Sequence, residues 1–89
     1  MMTLSMIDAD TPITHHLDTK GLICPEPVMM LHKTVRRAEG GDIIEILATD
    51  PATTRDIPNF CRHLGHQLLH QETLNAAPTY RYLVKKKHA

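Results

Sequence analysis

Aromatic side chains are almost missing from this sequence. Trp is absent, and Phe60, Tyr80 and Tyr82 are the whole complement. Single-stranded nucleic acid is held by stacking bases on aromatic rings along a basic groove, and the basic groove is lacking too. Ten Lys and Arg are balanced by ten Asp and Glu, which leaves no net field toward nucleic acid or an anionic membrane. The four glycines form no glycine-rich phosphate loop. No apolar run approaches the roughly 20 residues of a membrane helix. Met1 to Pro12 has neither the basic region nor the apolar stretch of a secretory signal. Cysteine is scarce: Cys24 and Cys61 have no CxxC spacing, and a disulfide between them cannot be read from sequence. The simplest expectation is a cytoplasmic protein in a reducing compartment, with free thiols and no membrane association.

At 89 residues the chain is one domain. A domain of this size buries about 60–65% of the surface its unfolded chain exposes. It has room for one modest core and none for a deep enclosed active site, which favours a module that works with partners. Residues 1–12 read as a disordered tail and 13–87 as the domain. Charge is uneven along the chain, with Asp8, Asp10 and Asp18 early and Lys85, Lys86 and Lys87 late. The lysine run reads as a solvated end.

Regular patterning begins at Ile13. Ile13 to Asp18 reads as a strand, and Gly21 punctuates before Cys24-Pro25-Glu26-Pro27. Two prolines forbid a strand interior but suit the first turn of a helix. Val28, Leu31, Val35 and Ala38 then recur at helical spacing, and Gly40-Gly41 supplies a helix stop. Asp42 to Ala48 reads as a central strand. Ile57, Phe60, Cys61 and Leu64 form a second helical stripe ending at Gly65. Pro58 is expected in that helix's first turn, with Asp56 or Thr54 as its cap. His66 to Thr73 and Thr79 to Lys86 read as two strands joined by a short loop at Asn75-Ala76-Ala77-Pro78. The order β-α-β-α-β-β predicts an α/β two-layer sandwich, with two helices on one face of a four-stranded mixed sheet.

The chemistry-bearing residue is Cys24, at the boundary of loop and helix. With Pro25 as the first helical residue, Cys24 is the N-cap, beside roughly half a positive charge. That charge lowers a thiol's pKa and favours the nucleophilic thiolate. The prolines remove two nearby N–H donors, leaving mainly that of Glu26, whose carboxylate opposes a negative sulfur. The expectation is modest activation on a stiff corner. The bland alternative is a small buried residue beside helix-start prolines.

The run Leu17-Asp18-Thr19-Lys20-Gly21-Leu22-Ile23-Cys24-Pro25-Glu26-Pro27 resembles the signature of the TusA (SirA-like) sulfur carriers, a CPxP motif shortly after a glycine. The likeness continues through Val28-Met29-Met30 and Thr34-Val35-Arg36. It resumes at Asp50-Pro51-Ala52-Thr53-Thr54-Arg55-Asp56-Ile57-Pro58 and at Tyr80-Arg81-Tyr82-Leu83, spanning about Ile13 to Lys86. It is stronger to the TusA branch than to the others. The resemblance implies the same β-α-β-α-β-β sandwich. It implies a sulfurtransferase whose Cys24 accepts sulfane sulfur as a persulfide from an IscS-type cysteine desulfurase, with Pro25 and Pro27 positioning it. The sulfur would pass to a TusBCD-type relay and then to the 2-thio group of tRNA wobble uridine, so that tRNA is met only indirectly. The resemblance implies no cofactor of the chain's own, since pyridoxal phosphate belongs to the donor. The chain is expected to be monomeric alone.

Around Cys24, Met29, Met30, Lys33, Arg36 and Arg37 fall on the helix side away from Val28, Leu31 and Val35. They read as a docking surface, or more plainly as a solvated face: cations steer encounter and methionines give adaptable contact. Cys61 reads as an inert core residue. Asp50, Arg55 and Asp56 read as local caps and ion pairs; the alternative is that they help set the surface near Cys24, where the sequence does not place them. His63, His66 and His70 are the closest histidine cluster, with His66 and His70 on one strand face, but they lack metal-site spacing. The competing functions are an RNA-binding module and a regulatory interaction protein without chemistry; both should survive Cys24→Ser.

Overall fold

A computed structural model describes residues 12–75 and 78–88. These form β1 (His15–Thr19), α1 (Glu26–Arg37), β2 (Ile43–Ala48), α2 (Thr53–Leu64), β3 (Gln67–Thr73) and β4 (Tyr80–Lys85). The predicted tail, apart from Pro12, and Ala76 and Ala77 of the predicted hairpin loop lie outside the described residues.

The sheet runs β1-β2-β4-β3, and β2 is central as its apolar run predicts. β1 and β2 are parallel, with Thr19 opposite Ala48, while β2–β4 and β3–β4 are antiparallel. Because parallel strands end at the same edge, the segment after β1 and the segment after β2 emerge side by side. Those segments carry Cys24 and Asp50.

One sheet face holds Leu17, Ile44, Ile46, Ala48, Tyr82 and Val84, and both helices pack on it through Leu31, Val35, Ile57, Phe60 and Cys61. Val28 is half-buried against the same cluster. Leu64 departs from expectation at 37% exposed. It is the last residue of α2, where the helix stops at Gly65 in the left-handed conformation (φ 81°). Tyr82 is fully buried, and its hydroxyl shares a 2.9 Å hydrogen bond with Thr53 Oγ1. The buried phenol therefore has the partner that burial requires.

Several helix ends differ from expectation. α1 closes at Arg37, before the glycine pair: Ala38 is extended, and its N–H reaches the carbonyls of Thr34 and Val35. Gly41 (φ 92°) serves the turn into β2 instead. α2 begins at Thr53 with Ala52 as cap, so neither Thr54 nor Asp56 caps it and Pro58 lies in the second turn. Asp50 organises this start. Its carbonyl accepts from both Thr53 N–H and Thr53 Oγ1, and its carboxylate accepts from Ala52 N–H at 3.0 Å.

The lysine run is only in part a solvated end. Lys86 N–H donates to the Asp42 carbonyl, and the Lys86 ammonium donates to the Ala38 carbonyl at 2.6 Å. A cation at the C-terminus of α1 is favourable for the helix dipole. The histidines are also partnered: His15 with Asp42, His16 with Glu45, and His70 with Glu72. His66 precedes β3 and stacks on Phe60, and a register shift between Leu68 and His70 breaks the strand's alternation. His66 and His70 therefore do not share a face, and no cluster suited to a metal exists among the described residues.

Candidate functional site

β1 ends in a turn in which Leu22 N–H returns to the Thr19 carbonyl. Gly21 takes φ 87°, a conformation costly for any residue with a Cβ, and its N–H donates to Thr49 Oγ1 at 2.9 Å. This ties the segment leading to Cys24 onto the segment leaving β2. The chain then presents Ile23, 70% exposed, and Cys24, also exposed, before entering α1.

The cap position belongs to Pro25, not to Cys24 as expected from sequence. Pro27 is the second helical residue and is buried, fixing the helix start against the core. The Glu26 N–H, expected to reach the sulfur, instead donates to the Ile23 carbonyl at 2.9 Å. Cys24 is therefore one residue outside the helix, and the N-terminal donors are not aimed at it.

Carboxylates meet it instead. Cys24 N–H donates to Asp50 Oδ2 at 2.6 Å, and the Cys24 thiol donates to Asp56 Oδ2 at 3.1 Å. Arg55 Nε donates to the other Asp56 oxygen at 3.1 Å. The expected activation is reversed. The Cys24 thiol is pushed above its ordinary pKa, chiefly by the hydrogen bond to Asp56, then by desolvation and the negative charges of Asp56 and Asp50, with Arg55 pulling the other way. Asp56 is held below the usual carboxylate range, first by the Cys24 thiol. Asp50 is lowered by the N–H groups of Ala52 and Cys24.

Cys24 and Pro25 stand at one end of a groove of about 470 Å³ between the helices. One wall is Val28 and His32 of α1. The other is Asp56, Asn59, Phe60, His63 and Leu64 of α2, residues about one turn apart. His32 meets Phe60 edge-on at 5.7 Å, so the two walls touch through aromatic rings. A second hollow of about 410 Å³ adjoins it, sharing Val28 and His32 and adding Met29, Lys33 and Arg36. Met30 joins Glu26, Met29 and Lys33 around a third hollow. Met29, Met30, Lys33 and Arg36 thus line hollows along α1 beside the groove that holds Cys24, with Met29 59% exposed. Arg37 is exposed in the last turn of α1 and does not join these hollows.

Cys61 is buried on the core side of α2, and burial pushes its thiol up to about 11. Both cysteines are free thiols.

The sequence profile of the family described as Sulfurtransferase TusA matches residues 15–86. The chain belongs to that family. As a TusA-family sulfurtransferase it also has the fold of a SirA-like protein from Desulfitobacterium hafniense. That solved structure is 17% identical, with a TM-score of 0.70 over 83% of this chain and 100% of the other. Among the described residues of this TusA-family chain, no helix is long and apolar enough to cross a membrane.

Asp50 and Asp56, read from sequence mainly as caps and ion pairs, are the residues whose contact with Cys24 the sequence does not place. Both lie in the quoted family signature, but their meeting with Cys24 depends on topology. The available signal was the predicted parallel pairing of β1 and β2, which brings the ends of both strands to one edge.

Proposed function

We propose that Cys24 is the persulfide acceptor of this TusA-family chain. It takes sulfane sulfur from an IscS-type cysteine desulfurase and passes it to a TusBCD-type relay for 2-thiolation of tRNA wobble uridine, in the cytoplasm. The observation that carries this reading is that the cysteine of the CPxP motif is an exposed free thiol at the mouth of an apolar groove. A carrier's sulfur has to enter other proteins' active sites, and a thiol projecting ahead of a helix anchored by Pro27 is shaped for that. Met29, Met30, Lys33, Arg36 and Arg37 form the surface on which the donor and the relay alternate. The cations set encounter rate and orientation, and the methionines adapt to two different partners. The chain needs no cofactor of its own for this step, and it acts as a monomer.

Peptide mass spectrometry under non-reducing conditions, after incubation with a cysteine desulfurase and cysteine, tests the assignment. One added sulfur is expected on the peptide containing Cys24 and none on that containing Cys61. The sulfur should be lost on reduction, because it is held by a sulfur–sulfur bond. Absence of sulfur on Cys24, or equal loading of Cys61, would remove the carrier reading.

A further inference from the structure

Resting on the reading of Cys24 as sulfur acceptor, we propose that Asp56 is the positioning residue of the transfer. Its carboxylate holds the Cys24 thiol as a hydrogen-bond donor at the mouth of the groove and keeps the empty carrier in its unreactive protonated form.

In sulfur acceptance, Cys24 Sγ attacks the outer sulfur of a donor persulfide. A Cys24 Sγ–S bond forms, the donor's sulfur–sulfur bond breaks, and the donor cysteine leaves as a thiolate that takes up the proton released by Cys24. Thiol plus persulfide become persulfide plus thiol, with no net oxidation. The attack needs the Cys24 thiolate, and the groups around it decide how much thiolate the free chain has. From the segment after β2 come Asp50, on the Cys24 N–H, and Asp56, on the thiol itself. Arg55 opposes them but spends its Nε on Asp56. Glu26 of α1 follows Cys24 by two residues, and His32 and His63 face the same groove. Asp56 stands out because it touches the sulfur. An ionised carboxylate can only accept a hydrogen bond, so it stabilises S–H and repels S⁻. A carboxylate this acidic is a poor base for a thiol. Its position suits restraint rather than proton removal.

Asp56→Asn separates restraint from mere structure. The carboxamide keeps the size, removes the charge and can donate to a thiolate. Each unit by which a thiol's pKa falls gives about tenfold more thiolate at neutral pH. Nucleophilicity falls by only about threefold, so reaction still gains about threefold. The pH–rate profile for alkylation of Cys24 by iodoacetamide should therefore move to lower pH in Asp56→Asn, with a severalfold faster rate near neutrality. Loading from a small persulfide donor, which needs no protein docking, should speed up in the same sense. Asp56→Glu should restore the slower wild-type profile. Arg55→Ala should move the profile in the opposite direction, and with Arg55 Nε's side chain 69% exposed this variant leaves the core intact. Profiles for Asp56→Asn and Arg55→Ala that superimpose on the wild type would overturn the proposal. If the wild-type chain takes up no sulfur, the carrier reading falls, and the alkylation profiles still decide whether Asp56 restrains the thiol.

Discussion

Cys24 and Cys61 are the same side chain in two surroundings, and both thiols are pushed up for different reasons. Cys61 sits on the core stripe of α2, where the low-dielectric interior disfavours a thiolate. Cys24 is exposed, and it is disfavoured as a thiolate chiefly because a carboxylate accepts a hydrogen bond from its thiol, with sulfur and oxygen 3.1 Å apart. A cysteine silenced by burial is released only by opening the fold. One silenced by a neighbour is released by moving or neutralising that neighbour. The pair also shows that exposure ahead of a helix does not by itself make a thiol reactive. The Glu26 N–H at the start of α1 is spent on the Ile23 carbonyl, and the negative charges of Asp56 and Asp50 outweigh the opposing Arg55.

The sharpest break of the comparison is serine substitution. Cys24→Ser should lose all sulfur acceptance while keeping the fold. Cys61→Ser should still accept sulfur, but it buries a hydroxyl in an apolar cluster and should destabilise the chain by about 1–3 kcal/mol if that hydroxyl finds no partner. Intact-mass measurement and a denaturation curve on each variant check both halves.

The next test asks whether Cys61 labels only through opening. Leu31 is fully buried in the core, and Leu31→Ala should cost about 2–5 kcal/mol. Since about 1.4 kcal/mol is tenfold in an equilibrium constant, thiol labelling of Cys61 should accelerate by roughly 30-fold or more, while that of Cys24 stays unchanged. An unchanged Cys61 rate would mean that it labels by local fraying of α2. An unchanged denaturation midpoint would mean that the helix face is misassigned.

A smaller effect is expected at the surface around Cys24. Arg36→Glu or Arg37→Glu should weaken association with the desulfurase or the relay, most at low salt, where charge acts over the longest range. Arg36 lines the hollow next to the cysteine and Arg37 does not, so Arg36→Glu should have the larger effect. Binding measured at two salt concentrations gives the answer.

The smallest effect is on stability against pH. Asp42, held low by the Glu39 N–H and then His15, and Asp50 and Asp56 all have depressed folded-state pKa values relative to the ordinary 3.8. Their contribution is present above that value and lost as pH falls through the lower folded values. Cys24 has the opposite sign: its contribution is complete below the ordinary thiol value of 9.0 and lost as pH rises through the higher folded one. The melting temperature should therefore fall below about pH 4, and Asp42→Asn should flatten that fall.

The element order, the central β2, the core positions Leu31, Val35, Ile57 and Phe60, and Cys24 as the candidate nucleophile were legible in the sequence, because each is written in local periodicity or in a contiguous motif. Two of the misses depend on chain segments that meet only after folding, and others, such as the Pro25 cap of α1, on local backbone geometry. Cys24 has Asp56 as a neighbour across 32 positions, and nothing in the local run around CPxP encodes its charge. Lys86 reads as part of a basic tail until β4 places it beside the end of α1. The start of α2 was misread because Asp50, outside the helix, organises it through carbonyl and carboxylate together.

The parallel pairing of β1 with β2 makes the sulfur's chemistry a gauge of strand alignment. Thr19 Oγ1 on the Leu47 carbonyl at 2.7 Å and Gly21 N–H on Thr49 hold the two strand exits level. A slip of one residue displaces one exit by about 3.3 Å, as much as the whole distance from Cys24 sulfur to Asp56 oxygen, and turns every side chain of the slipped strand to the opposite face. A misaligned chain would therefore carry an unrestrained thiol, and a stopwatch on its alkylation would detect the fault before any loss of secondary structure.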